Sequence, residues 1–367
     1  MTHLVHSQNY TGNIAFSGPS LYIMMSIIYA GLKGPIRTKL ARLLGYDFYG
    51  IQYMESWSLT GIGYRLSRLE HAIQSKISMK SAIIYSFNIS SIFVNNSGEV
   101  VDLEYQEWNF SNTEKMTRKI NQWARKNTRG SIHDLYRRPL DKDTKMILIT
   151  SLYMFADWWV PFDPMKTRYE IFTDDTGKKF DVKMMKQIGS YKIKTDVINN
   201  FSIIFIPMIK GGLYASIVLP RIGHPIQDTL KYLKVKHICK EWDNIQRHFI
   251  TAGTYDAVLK LPKFKIITEN RFINTFIHLN VSELFEPGMA DFGFTTSPNV
   301  FINDFMQLTT IVVDEFSTGL NIKDEPELST RFTRNKFYVD RSFLFLIYSS
   351  YSTEVLLSVT VTNPNRN

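Results

Sequence analysis

Between Thr309 and Tyr348 the sequence sets down two strands and joins them by a stretch that follows neither a strand nor a helix period. The first strand alternates Thr309, Ile311 and Val313 with Thr310, Val312 and Asp314, and β-branched residues dominate it. The second opens at Phe343 and runs apolar through Leu344, Phe345, Leu346, Ile347 and Tyr348. From Asp314 to Phe343 the connection carries charges of both signs and a proline. A compact domain seldom holds so long a structureless connection unless it is functional or disordered. Arg331 stands near its centre between Thr330 and Phe332. On the residues alone two readings stand level: an exposed loop that a trypsin-like protease cuts at Arg331, and a disordered surface insertion.

The chain has 367 residues, 44% hydrophobic and 14% aromatic, which is ample material for a large core. No apolar run approaches the ~18 residues of a membrane span, and no membrane partner is expected. The opening segment, residues 1–13, has no basic end followed by an apolar core, and it is read as lacking a secretory signal. Cys239 is the only cysteine, which excludes intramolecular disulfides and CxxC metal or redox sites. Both features fit a reducing compartment, and the expected localisation is cytoplasmic. Net charge is +9, which raises the question of an anionic partner. The densest basic groups are Arg118 to Arg129 and the Arg137–Arg138 pair. They are read as a solvated surface, with no nucleic-acid partner expected. Six Asn-x-Ser/Thr triplets begin at Asn9, Asn88, Asn95, Asn109, Asn200 and Asn280, and are read as chance in an Asn-rich chain.

Along the chain, residues 13–17 read as a short strand. Gly18-Pro19-Ser20 turns and caps a helix from Leu21 to about Gly31 that is apolar nearly all round, as befits a central position. Lys33-Gly34-Pro35 breaks it, and a second helix from Ile36 to Leu44 ends at a Gly45 cap. The pattern predicts a helix over 51–80, a strand over 81–94 and an amphipathic helix over 113–127 carrying Ile120 and Trp123. It then predicts a buried strand over 144–156, strand-rich blocks at 182–220 and 248–268, and a helix from Glu269 to about Leu279. Helices crowd the first third and strands the last half, without βαβ alternation. That indicates an α+β fold rather than a doubly wound sheet. Nothing divides the chain, so residues 1–367 are expected to form one domain.

These pieces, in this order, resemble the serpin family across nearly the whole chain. The opening Asn13-Ile14-Ala15-Phe16-Ser17-Gly18-Pro19-Ser20 resembles the family's first strand and turn, and Gly31-Leu32-Lys33-Gly34 with Leu43-Leu44-Gly45 follows. Ile120-Asn121-Gln122-Trp123 through Thr128-Arg129-Gly130-Ser131-Ile132, then Trp158 with Pro161-Phe162, come at the family's intervals. Val182-Lys183-Met184-Met185, Leu219-Pro220, Leu261-Pro262-Lys263-Phe264, Val313-Asp314-Glu315, Phe343 to Ile347 and Asn363-Pro364 complete the set. The short start and the Ile/Asn/Lys/Tyr-rich composition are most similar to the intracellular poxvirus members.

The resemblance implies about nine helices, three β-sheets and an exposed reactive-centre loop, here about 315–342. Inhibitory members are suicide substrates: the protease serine forms an acyl-enzyme on the bait residue. The cut loop then inserts into the largest sheet and releases stored strain. Counting without gaps from Glu315 to Phe343 makes Arg331–Phe332 the reactive bond, with Glu315, Ser317, Thr318, Gly319 and Leu320 as the loop hinge. Ser17, Ser20, Thr150 and Gln307 fall in the family's shutter, under the point where the sheet parts. Trp158 and Lys263 fall at the top of that sheet, and Lys263 matches a family ion pair with Glu315, of a kind that contributes little where it is exposed.

Several positions depart from the inhibitory pattern. A buried strand made from the loop would turn Leu320, Ile322, Asp324 and Pro326 inward if Thr318 points inward. Leu320 and Ile322 overpack at roughly 1–3 kcal/mol. Asp324 brings a carboxylate and Pro326 lacks a ladder donor. Gln307 and Thr150 replace a histidine and an asparagine, Gly18 replaces a proline, and Val359 replaces a glycine.

Two functions follow. One is a serine-protease inhibitor aimed at Arg-specific enzymes, a viral modulator of host proteases if the poxvirus likeness holds. The other is a non-inhibitory member that acts as a binding module or cleavable decoy. An enzyme is not expected: no His cluster, phosphate loop or GxSxG motif occurs, Cys239 is read as structural, and neither cofactor nor metal is implied. Binding of heparin-like polyanions through Arg65, Arg68, Lys76 and Lys80 is weighed and set below a solvated helix face, since Glu70 intrudes. A monomer is expected.

Overall fold

The computed structural model describes residues 12–45, 51, 55–209, 211–233, 243–295, 297, 299–316 and 335–366. Strand β1 (Ile14–Phe16) leads into helix α1 (Gly18–Gly31), followed by β2 (Leu32–Lys33), α2 (Gly34–Leu44), α3 (Gly61–Gln74) and β3 (Ser78–Tyr85). Helix α4 (Ser91–Gly98), β4 (Leu103–Glu107), α5 (Thr113–Asn127), β5 (Met146–Phe155), β6 (Arg168–Thr173) and β7 (Lys179–Asp196) come next. The second half holds β8 (Phe201–Pro207), β9 (Leu213–Pro220), α6 (Ile226–Tyr232), α7 (Asp243–Thr251), β10 (Gly253–Pro262), β11 (Phe264–Arg271) and α8 (Ile273–His278). Strands β12 (Asp291–Phe292), β13 (Ile302–Val313), β14 (Asn335–Tyr338), β15 (Phe343–Ser349) and β16 (Glu354–Val361) complete the chain. The α+β expectation holds, with eight α-helices among the described residues and three sheets.

Helix α1 is the axis of the fold. Its composition leaves no polar stripe, and twelve of its fourteen residues are buried. Ser17 caps it by accepting the Ser20 amide at 3.2 Å. Helix α2 ends as its sequence dictates: Gly45 takes a left-handed φ of 64° and its amide closes on the Ala41 carbonyl. A five-stranded sheet in the order β11-β13-β5-β3-β4 covers one side of the core, and a nine-stranded sheet built around β16, β15, β9, β8, β7 and β10 covers the other. The hydrophobic cluster between them includes α1, the inner-face residues Leu148, Leu152, Phe305 and Ile311, and Phe343, Phe345 and Ile347 of β15. A smaller cluster lies on the outer face, where Met116, Ile120, Trp123 and Ala124 of α5 pack on Ile147 and Ile149 of β5 and Met306 and Leu308 of β13.

Several boundaries depart from the sequence pattern. The helix expected over 51–80 runs only from Gly61 to Gln74, with a separate 3-10 turn at Trp57–Leu59 before it. Residues 78–80, expected in a helix, are strand because Ser78 pairs with Tyr153 and Met79 with Leu152 across the sheet. Residues 91–94, expected in a strand, are the first turn of α4. There Phe93 alone is drawn in, stacking on Phe294 at 4.3 Å, while Ile92 stays 69% exposed. Residues 269–271, expected to open a helix, extend β11 by pairing with Leu308, Gln307 and Met306. Residues 248–251, expected in a strand, are the last turn of α7.

Candidate functional site

The site is the seam between β5 and β13 and the loop that departs from its top. The two strands are parallel neighbours, in register from Ile302 opposite Met146 to Val312 opposite Phe155, with one shift between Ile302 and Asp304. The Ala156 amide continues the ladder to the Val312 carbonyl at 2.9 Å. Beyond β5 and β13 the next pairings, β5 with β3 and β13 with β11, are antiparallel. A chain that leaves β13 at Asp314 and doubles back runs antiparallel to both seam strands. It would find a complete ladder on either side if the seam parted.

One polar row crosses the inner face of this sheet at a single level. Ser81 of β3 lies opposite Thr150 of β5, Thr150 opposite Gln307 of β13, and Gln307 opposite Asn270 of β11. The Ser81 and Thr150 hydroxyls share a hydrogen bond at 3.1 Å. Gln307 is 1% exposed and uses its whole amide. Its Oε1 accepts the Ser17 amide at 2.7 Å, and its Nε2 donates to the Ser20 hydroxyl at 2.7 Å and the Ser17 carbonyl at 3.1 Å. Asn270 Nδ2 and the Thr268 hydroxyl both donate to the Ala15 carbonyl at 2.7 Å. The start of α1 is thereby tied to two strands of the sheet, one of them at the seam. The structure brings Ser17, Ser20 and Gln307 into direct contact and sets Thr150 beside them in the row. Just above, the Thr309 and Thr310 hydroxyls of β13 are buried and have no hydrogen-bond partner among the described residues. Buried hydroxyls in that state are uncommon.

The top of the seam is clamped. Trp158, fully buried, donates its indole N–H to the Asp314 carbonyl at 2.6 Å and meets Phe162 edge to face at 5.4 Å. The Phe162 amide donates to the Glu315 carbonyl at 3.0 Å. The Glu315 carboxylate accepts Lys263 Nζ on one oxygen and the Thr167 hydroxyl at 2.8 Å on the other. Burial pushes the Glu315 carboxyl up, but the bonds from Lys263 and Thr167 outweigh it and hold the group below its ordinary value. Glu315 is only 4% exposed, so the Lys263 pair is not the weak exposed pair that sequence suggested. Its loss would leave a charge in a poorly solvated place. Asp314, by contrast, is pushed up, chiefly by burial.

Of the expected hinge and reactive-bond residues, Glu315 is the one described, and the far end of the expected 315–342 loop is already sheet, since Asn335–Tyr338 form β14. Ser317, Thr318, Gly319, Leu320, Arg331 and Phe332 lie outside the described residues, as does Cys239. The chain re-enters at β14, which pairs parallel with β10, and Arg341 donates its Nε–H to the Pro220 carbonyl at 2.7 Å. Eighteen residues, 317–334, separate the two framing ends.

The polyanion candidates do not form one free basic face. Lys80 is ion-paired with Asp102 at 2.7 Å. Arg65 and Arg68 face the half-buried carboxyl of Glu354 across a cleft. Among the described residues no group of three or more His, Cys, Asp or Glu side chains is placed to hold a metal ion. No helix among them is long and apolar enough to cross a membrane. Sequence reasoning missed Ser81, Thr167, Thr268 and Asn270, whose roles depend on strand register. It also missed the staple role of Asn13, whose side chain bonds Thr362, Asn363 and Arg366 of the chain's far end. A buried asparagine flanking the first strand was the one signal available for it.

Comparison with known proteins agrees with this architecture. The family model described as Serpin (serine protease inhibitor) matches residues 1–364. Glia-derived nexin of Rattus norvegicus is 25% identical, covering 96% of this chain and 88% of its own. Protein Z-dependent protease inhibitor of Homo sapiens is 24% identical, covering 98% of this chain and 79% of its own. Among solved structures, native protease nexin-1 with heparin superposes with a TM-score of 0.82 at 22% identity, covering 99% of this chain and 95% of that one. That likeness speaks to the fold alone.

Proposed function

Because the chain belongs to the serpin family, a family of protease inhibitors rather than enzymes, we propose that it inhibits an Arg-specific serine protease, with Arg331–Phe332 as the bond offered. The observation that carries this reading is the parallel β5–β13 seam, with the loop leaving its top. The protease serine attacks the Arg331 carbonyl and forms an acyl-enzyme, releasing Phe332 as the new amino terminus. The severed segment stays attached through Glu315. The seventeen residues from Glu315 to Arg331 span up to ~53 Å extended, while the twelve residues of β13 span ~36 Å. The segment is therefore long enough to run the full seam as a new strand and carry the acylated protease with it.

The same geometry bears on Asp324. A turn centred between Glu315 and Phe316 would pair residue 324 with Gln307 and set both side chains on the same face. The carboxylate would then meet the polar row of Gln307, Thr150 and the Ser20 hydroxyl rather than a greasy wall. Pro326 still lacks a ladder donor, and Leu320 and Ile322 remain large. These residues favour a second reading, in which the loop is cut but not trapped and the protein is a decoy substrate.

Incubation with trypsin followed by a denaturing gel separates the two. Trapping gives an SDS-stable complex that Arg331→Ala abolishes. Cleavage after Arg331 with no complex leaves the decoy. A chain left uncut at Arg331 overturns both. Action inside a cell, on a host protease if the gene is viral, is supported by the single cysteine and the composition, and the genes flanking the coding sequence test it.

A further inference from the structure

Of the net charge of +9, a net of +6 lies within residues 113–145, where ten basic residues face four acidic ones. The fold sorts these charges onto one side. With its apolar face on the sheet, α5 turns Lys115, Arg118, Lys119, Arg125 and Lys126 outward, and all five are exposed. At 100° per residue they share one stripe, roughly 16 Å long from Lys115 to Lys126. The segment after α5 folds back beside it. Asn121 Nδ2 donates to the Tyr136 carbonyl at 2.9 Å, its Oδ1 accepts the Tyr136 amide at 2.9 Å, and the Leu140 amide donates to the Thr117 hydroxyl at 2.9 Å. Exposed Arg137, Arg138 and Lys142 are thereby set as a second row alongside the first.

Little neutralises this face. Arg118 has a loose pair with Glu114 at 3.7 Å, Lys119 lies over the Trp108 ring, and Arg137 senses Glu269. Asp141 and Asp143 flank Lys142. Lys115, Arg125, Lys126, Arg138 and Lys142 have no ion pair among the described residues. No aromatic ring is exposed on the face: Trp108 and Trp123 are buried and Tyr136 is half-buried. It offers no platform for unstacked bases, only cations for a backbone.

From this we propose that the outer face of α5 and the 137–142 segment bind the phosphate backbone of double-stranded nucleic acid, without sequence preference. Two cation rows about one helix diameter apart, roughly 10 Å, suit a polymer that presents two phosphate rows flanking a groove. A face with no stacking platform suits a duplex better than a single strand. The assignment does not depend on whether the loop is a trap.

The test is fluorescence anisotropy of a labelled 20-base-pair DNA duplex with the full chain. With about five phosphate contacts, affinity falls about 500-fold between 50 and 200 mM salt. R125E/K126E and R137E/R138E each weaken binding at least ~10-fold at unchanged melting temperature. K179E/K183E, an equal charge change on exposed residues of β7, weakens it less than ~3-fold. Equal losses in all three variants would reduce the effect to net charge and overturn the site. So would duplex binding that is absent at 50 mM salt, a 20-nucleotide single strand that binds more tightly, or strong heparin binding without duplex binding. The last result would assign the face to a sulfated polysaccharide.

Discussion

Gln307 ties the seam to the helix beneath it with three hydrogen bonds, all to groups with no water to fall back on. Gln307→Ala strands the Ser17 amide in the core, while the Ser20 hydroxyl keeps its bond to the Ser17 carbonyl at 3.3 Å. One unsatisfied group costs roughly 1–3 kcal/mol, which urea unfolding reads as a lower midpoint at unchanged slope. A histidine here could keep one donor and one acceptor, and Gln307→His should recover part of the loss. At the other end of the seam, Glu315 anchors the loop through Lys263 and Thr167. Its carboxyl titrates below the ordinary 4.5, so its contribution is complete above that pH and lost as pH falls through the lowered value. Glu315→Gln keeps the shape and loses the charge. Asp324 is the residue that most separates trap from decoy. If its carboxylate burdens the inserted strand, Asp324→Thr raises the ratio of SDS-stable complex to cleaved chain. An unchanged ratio would indicate that the polar row already accommodates it.

At the scale of elements, the proposed strand uptake requires β5 and β13 to part while α5 remains packed across both of them. Ile120 is fully buried against the strands under α5. Ile120→Ala should cost about 2–4 kcal/mol in urea unfolding through the cavity it leaves. A covalent lock on the seam tests strand uptake directly. Thr310 and Tyr153 are register partners, above the level of the polar row. In a Cys239→Ser background, Thr310→Cys with Tyr153→Cys should oxidise to a cross-link. The locked protein is expected to be cut after Arg331 with no complex and no rise in melting temperature on cleavage. Reduction should restore both. Complex formation by the locked protein would show that the strand goes elsewhere.

For the whole molecule, two carboxyls, buried Glu70 and half-buried Glu354, pull the pH dependence against the usual trend. Burial raises Glu70 to about 7 despite the Asp102 amide it accepts, and burial raises Glu354 to about 7 despite Arg65 and Arg68. Between their ordinary value of 4.5 and about 7 the native state holds more protons than the unfolded chain. Stability therefore falls as pH rises through that window. Each group is worth about 1–3 kcal/mol across it. The urea midpoint should decline from pH 5 to pH 7.5, and Glu354→Gln should flatten the decline. A midpoint rising over the same range would mean that these carboxyls are ionised at little cost in the fold.

The sequence by itself determined the elements whose patterning is local or redundant. These are the all-apolar α1 with its Ser17 cap, the Gly45 terminus of α2, the two-faced α5 and the β-branched run of β13. It also placed Ser17, Ser20 and Gln307 in one region, through ordered resemblance to a family rather than through geometry. Only the tertiary structure decided the ends of β3, α4 and β11, because a cross-strand partner or a single stacked ring outweighed local period there. Only the structure joined Ser81, Thr150, Gln307 and Asn270 into one row, because register between distant strands is not written in any one of them. The charge of α5 followed the same rule. The sequence counted the cations, but the fold of residues 128–142 back along the helix gathered them onto one face.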